Sequence, residues 1–159
     1  MPSTAPNPVV RAVDLRKRFG ETQAVDGLSL EISPERPQVS VIRAGHPGML
    51  LQGGGTVEWL EPPGGPALGL HAGEWPRHEL ELPAGHGLLL LTDGLYEGYS
   101  GTGSERLGEE GLLELARSHA NRPGPAFVDA LIDGAQELAQ PRGGLTDDIA
   151  VLRIERTTR

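Results

Sequence analysis

The sequence predicts an α+β fold, strands covered by helices, and three observations carry the prediction. The four leucines Leu88–Leu91, bounded by Gly87 and Gly94, are too few for a free-standing helix. They read as a strand buried on both faces, where no polar alternation is needed. Upstream, short apolar segments alternate with Gly- and Pro-rich turns, the pattern of a strand-rich region. Downstream, two amphipathic helical stretches stand in succession before a last strand.

In chain order, residues 1–8 are polar and Pro-rich and are expected to fray. Val9–Leu15 and Leu28–Ile32 are apolar-rich segments expected to pair as strands, with Gly20 and Glu21 in their connection. Val39–Arg43 reads as a strand running into the turn Ala44–Gly48. Met49–Gln52 and Thr56–Leu60 form a hairpin around Gly53–Gly55, whose glycines supply the positive φ such connections need. Glu61–Leu70 is a loop. His78–Leu82 alternates polar and apolar as a half-exposed strand does, and Pro83–Gly85 turns the chain into the leucine strand. Gly98–Gly103 is expected to be a flexible loop. Glu109–Ala120 then carries Leu112, Leu113, Leu115 and Ala116 as an apolar stripe, with Glu109 and Glu110 complementing the helix dipole. Ala126–Ala139 places Phe127, Leu131 and Ala135 at four-residue spacing, and Val128, Ile132 and Leu138 widen that face. Pro123-Gly124-Pro125 and Pro141 mark its ends. Asp147–Ile154 is predicted as the final strand. The organisation is a disordered start (1–8), an N-terminal hairpin segment (9–38), one folded domain (39–155) and a short tail (156–159).

Composition narrows the function. The chain has 159 residues, the size of one domain or of a fragment of a larger one. Its 23 glycines and 14 prolines fall between apolar runs without a period, as turns in a loop-rich fold. A net charge of −8 argues against a nucleic-acid partner and suits a protein that binds cations. The absence of cysteine excludes disulfides and thiolate sites, so any metal must be held by oxygen or His ligands. No apolar run approaches the ~20 residues of a membrane span, and a cytoplasmic location is expected.

The candidate site residues are acidic. Asp93 closes the leucine strand in Thr92-Asp93-Gly94, where a carboxylate either caps a turn or holds a cation. Asp147 and Asp148 open the last strand. If that strand lies beside the leucine strand, carboxylates meet at one rim, and alternation lets only one of the pair share Asp93's side. Two such charges ~4 Å apart repel by about 4 kcal/mol at an effective dielectric of 20, which a shared proton or a hard cation relieves. A surface Asp-Asp capping a turn is the alternative.

Two resemblances follow. Ala12–Gly20 and Ala24–Leu30 resemble the opening hairpin of an ABC transporter ATPase, in which the aromatic at Phe19 stacks on adenine. That family requires a Gly-rich loop ending in Gly-Lys-Ser/Thr at a helix N-terminus. Lys17 is the sole lysine and precedes the place for such a loop, so nothing holds the phosphates.

The wider resemblance rests on six motifs in order. They are Arg43-Ala44-Gly45-His46-Pro47, Gly65–Leu70, Leu82-Pro83-Ala84-Gly85, Leu88–Leu95, Leu107-Gly108-Glu109-Glu110 and Thr146–Val151. Their spacing resembles the C-terminal half of the type 2C metal-dependent protein phosphatases, in the bacterial branch of stage II sporulation protein E and the sigma-factor regulators. The resemblance covers residues about 39–155, or from 28 if Leu28–Ile32 and the turn at Ser33–Gln38 imitate the family's preceding hairpin. It implies a partial αββα sandwich of antiparallel sheets with helices outside. It also implies a signalling hydrolase with two Mn2+ or Mg2+ ions, and a phosphoserine- or phosphothreonine-bearing regulatory protein, such as an anti-sigma antagonist, as substrate. By position, Asp93 and Asp147 match metal ligands, with Gly94 beside Asp93, and Asp148 falls in a supporting place. His46 lies in a turn that is mainly structural in that family, though a His there invites a role as acid or ligand.

The resemblance breaks in two places. The family's upstream Gly-Gly-Asp strand and Asp-x-x-Gly-x-Gly turn do not precede Val39, and Asp26-Gly27 is the nearest substitute. Gly85-His86 stands where relatives have Gly-Asp. A truncated phosphatase is therefore expected. A non-catalytic interaction module, with uncovered sheet edges inviting self-association, is the competing reading. An ABC-type nucleotide-binding protein ranks behind both.

Overall fold

The computed structural model describes residues 10–19, 22–32, 38–69 and 72–156, and of 10–19 and 22–32 the backbone alone. The expectations for residues 1–8, for the Gly20-Glu21 connection, for positions 33–37 and for the last three residues lie outside the described residues. The described strands are β1 (Val10–Phe19), β2 (Thr22–Ile32), β3 (Gln38–Ile42), β4 (Met49–Gly53), β5 (Thr56–Leu60), β6 (Arg77–Glu81), β7 (Gly87–Leu91) and β8 (Val151–Glu155). The helices are α1 (Gly108–Ser118) and α2 (Gly124–Ala139). No described helix is long and apolar enough to cross a membrane.

The chain divides into two compact units. One comprises residues up to His46 with Pro62–Pro83, and the other Pro47–Glu61 with the chain from Ala84 onward. In the first unit β1 and β2 pair antiparallel with irregular register between Ala12 and Arg18, and both run longer than predicted. β3 pairs antiparallel with β6, Val39 opposite Leu80. Beyond β3, Ala44 bridges Gly65, through Gly45 N–H to the Gly65 carbonyl and Gly65 N–H to the Arg43 carbonyl, 2.9 Å each. Gly45 has φ +74° and packs so close to Ala67 that no side chain fits.

The second unit is a four-stranded antiparallel sheet in the order β5-β4-β7-β8, with helices against one face. β7 is central, pairing with β4 (Leu50 opposite Leu89) and with β8 (Leu89 opposite Arg153). The pleat directs Leu50, Val57, Leu89 and Leu91 toward Leu112, Ala116, Phe127 and Leu131, all buried in one cluster. The other face of β4, β7 and β8 carries Met49, Leu51, Leu88, Leu90, Leu152 and Ile154. The leucine strand is therefore apolar on both faces, as the unbroken run predicts, with Leu90 half-buried.

On α1, Leu112 and Ala116 are buried and Leu113 and Leu115 half-buried. On α2 the fully buried row is Phe127, Leu131, Ala135 and Ala139, at strict four-residue spacing. That row slants across the helix, so Leu138, expected on the face, falls off its edge and is 36% exposed. Gln52 is the one buried polar side chain among the described residues. Its amide donates to the Ala120 carbonyl at 2.7 Å and the Arg122 carbonyl at 3.1 Å, tying β4 to the segment that leaves α1. The loop expected to be flexible is tied down. Ser100 N–H bonds the Glu105 carbonyl, Gly101 N–H the Leu138 carbonyl, and Leu107 N–H the Gly98 carbonyl.

One strand boundary differs from expectation with consequences for the site. β8 begins at Val151, so Asp147–Ala150 is not strand. Its partner β7 ends at Leu91, and after the bond from Thr92 N–H to the Ala150 carbonyl (3.0 Å) the chain turns into a short 3-10 helix, Asp93–Leu95. No strand remains for Asp147–Ile149 to pair with.

Candidate metal centre

Antiparallel pairing of β7 and β8 brings the end of one to the start of the other, so Thr92-Asp93-Gly94 and Asp147-Asp148 share a rim. A hydroxyl latches them. Thr92 Oγ1 donates to the Asp148 carbonyl at 2.9 Å and accepts from Ala150 N–H at 2.9 Å. Gly94 is buried, and a Cβ there would lie 2.6 Å from the Asp148 carbonyl oxygen, a backbone atom that cannot swing away. The glycine is therefore needed for close approach, not for positive φ.

Asp93 is exposed in the first turn of the 3-10 helix, with its own carbonyl taken by Tyr96 N–H (2.9 Å) and Glu97 N–H (3.0 Å). Asp147 is exposed too, and its Oδ1 accepts from the N–H of the next residue, Asp148, at 2.8 Å. Strand alternation therefore does not decide between Asp147 and Asp148. Asp148 touches Thr92 through its backbone carbonyl. Beside this rim Tyr96 meets Trp59 edge-on, ring centroids 6.3 Å apart. Burial, and then the carboxylates Glu109, Asp93, Glu97 and Glu61, push the Tyr96 phenol above its ordinary pKa.

The structure thus gathers Asp93, Gly94, Asp147 and Asp148. His46 and Asp26 belong to the other unit. The His46 carbonyl accepts from Arg43 Nε (3.2 Å) and Nη2 (2.9 Å), while Arg43 Nη1 reaches the Pro62 carbonyl, so this turn is braced from within. Asp26 lies in β2, where only backbone is described. Thr92 is the participant that sequence reasoning left without a role, although it stands inside the motif.

The donors fit a hard cation in kind: two carboxylates, with carbonyl oxygens nearby and no soft ligand. They do not fit a pair, since no three His, Asp or Glu side chains converge as ligands among the described residues.

Among the solved structures that resemble the chain are the following three. The RsbU and RsbW domains of a Mycobacterium tuberculosis protein match at 30% identity and TM-score 0.60, over 81% of this chain and 34% of that one. The SiaA-PP2C domain of Pseudomonas aeruginosa matches at 23% identity and TM-score 0.65, over 80% of this chain and 49% of that one. The phosphatase domain of the cell fate determinant SpoIIE from Bacillus subtilis matches at 16% identity and TM-score 0.56, over 77% and 52%. The chain spans only about a third to a half of these structures. A comparison with curated proteins gave no match. The architecture is that of the PP2C-type phosphatase domains. A sequence-family profile, Stage II sporulation protein E, matches residues 5–157, and the chain belongs to that family. That match runs through residues 9–32, the segment that resembles an ABC ATPase.

Proposed function

We propose that the chain contributes Asp93 and Asp147 to a Mn2+- or Mg2+-dependent phosphatase acting on phosphoserine or phosphothreonine in a regulatory protein, such as an anti-sigma antagonist. One observation carries the reading: the β7–β8 register, which places the two acidic motifs at one rim. Family membership supports it. A cytoplasmic setting is part of the same reading.

In this mechanism Asp93 and Asp147 hold the cation, with Gly94 allowing the two segments to approach. The Thr92 hydroxyl fixes the backbone of the loop that carries Asp147 against the end of β7. A bound divalent cation supplies a water nucleophile at neutral pH and neutralises phosphoryl oxygens, so no covalent phosphoenzyme is needed. The two carboxylates fall short of a two-ion cage, and full activity calls for ligands beyond them.

The test is p-nitrophenyl phosphate hydrolysis by the 159-residue chain with Mn2+ and with chelator. Mn2+-dependent turnover is expected, falling at least about a hundredfold in Asp93→Asn and Asp147→Asn, the scale of losing an electrostatic group that acts on the transition state. Turnover indifferent to chelator and to Asp93→Asn would sink the reading. The second reading, a non-catalytic interaction module, is favoured by the absence, among the described residues, of three converging His, Asp or Glu side chains and by the β8 edge with Leu152 60% exposed. A folded chain with no Mn2+-dependent turnover would support it.

A further inference from the structure

The chain is strongly acidic, yet one place in its second unit concentrates positive charge. Arg106 and Arg142 both stack on the ring of Tyr99, their guanidinium carbons 4.9 and 4.7 Å from its centroid. Since each lies within 5 Å of one ring, the two charges are at most about 10 Å apart. Both arginines are exposed, and Tyr99 is half-buried. Neither arginine is in an ion pair among the described residues, although Glu97 and Glu105 are close in sequence to Arg106.

The cluster is built rather than incidental. Tyr99 and Arg106 form an antiparallel bridge, and Arg106 Nη1 donates to the Glu97 carbonyl. Glu97 N–H in turn bonds the Asp93 carbonyl, so Arg106 hangs from the segment that follows Asp93. Arg142 ends the turn after α2, at the start of the stretch leading to Asp147. Two like charges beside one ring repel. The ring quadrupole offsets that repulsion only in part, so the arrangement gains most when an anion joins it. The ring contacts hold both guanidinium groups beside Tyr99, and the N–H groups that are not bonded to protein remain to meet phosphate oxygens.

We propose that Arg106 and Arg142, oriented by Tyr99, form a recognition site for a phosphorylated protein segment. The inference rests on the phosphoprotein reading above and adds which residues of this chain hold the phosphoryl group as the segment docks. Tyr99 is a positioning residue, and the arginines make the contact.

The experiment is calorimetric titration of the full chain, in chelator, with a synthetic nonapeptide carrying one phosphoserine and no other charge. Its unphosphorylated twin, inorganic phosphate and a single-stranded oligonucleotide serve as comparisons. The phosphopeptide is expected to bind more tightly than its twin, and Arg106→Ala or Arg142→Ala to weaken it about tenfold or more. Arg142→Lys keeps the charge but not the fork, and is expected to lose several-fold with the fold intact, so the question stays answerable if an alanine variant unfolds. Free phosphate is expected to displace the peptide. Affinity equal for the twin, unchanged in both arginine variants, matched by the oligonucleotide, or not displaced by phosphate would overturn the site. Because no metal and no turnover enter the measurement, an inactive chain that binds sinks only the phosphatase reading. An active chain that does not bind sinks only this one.

Discussion

Thr92 shows how much of the site depends on a single hydroxyl. It donates to one backbone group of the Asp147–Ala150 stretch and accepts from another, where no strand ladder holds that stretch. Thr92→Val keeps the β-branched shape and removes both bonds. It should cost roughly 1–2 kcal/mol of unfolding free energy in urea titration. It should also lower Mn2+ affinity measured by calorimetry, while Thr92→Ser recovers most of both losses. Unchanged stability and Mn2+ affinity in Thr92→Val would show that the latch holds nothing. The other residue-scale reporter is Tyr96, whose phenol is kept neutral by burial and by Glu109, Asp93, Glu97 and Glu61. Its folded pKa lies above its unfolded value near 10, so the unfolded chain loses that proton first. This tyrosine's contribution to stability is intact below about pH 10 and declines from there until the pH passes the raised folded pKa. Absorbance at 295 nm should show late titration that survives Tyr99→Phe and disappears in Tyr96→Phe. A titration in which Tyr96→Phe makes no difference would contradict this environment.

At the scale of elements, Gln52 links the sheet to the helices. Its buried amide satisfies the carbonyls of Ala120 and Arg122 in the segment that follows α1. Gln52→Leu matches the size and apolar setting but strands two acceptors. It should destabilise the chain by about 1–3 kcal/mol in denaturant unfolding, and no loss would mean that water replaces the amide. What the sequence showed of this unit was whatever repeats along the chain. The leucine run identified β7, and the four-residue spacing of Phe127, Leu131 and Ala135 identified the α2 face. What it hid depends on segments far apart in sequence. The start of β8 is fixed by where β7 stops, and Asp147–Ile149 reads as strand to any pattern that cannot see its partner leave. The Thr92–Asp148 bond spans 56 positions, and no periodicity marks it. Leu138 was misplaced because the buried row follows the slant of i, i+4 neighbours.

For the molecule as a whole, the β7–β8 register brings Thr92-Asp93-Gly94 and Asp147-Asp148 to one rim. The edge of that same sheet raises a different question. Among the described strands β8 pairs only with β7, so its outer backbone groups face no strand. Leu152, opposite Leu90 in the register, is 60% exposed and Ile149 is 36% exposed. An open edge with apolar side chains is a template for pairing with another chain unless charge guards it. Arg153 and Glu155 do not guard it, because they pair with each other at 3.0 Å and Arg153 leans across Gly87 and Gly124 on the helix side. We therefore expect the 159-residue chain to self-associate at micromolar to millimolar concentration despite its charge of −8. Sedimentation equilibrium should show association that grows with added salt, as screening weakens the repulsion between acidic copies while the apolar contact persists. Leu152→Glu places a charge on the edge and should weaken association by at least about tenfold without unfolding the chain. A chain that stays monomeric at every concentration, or a Leu152→Glu variant that associates as the parent does, would show that this edge is covered by other means.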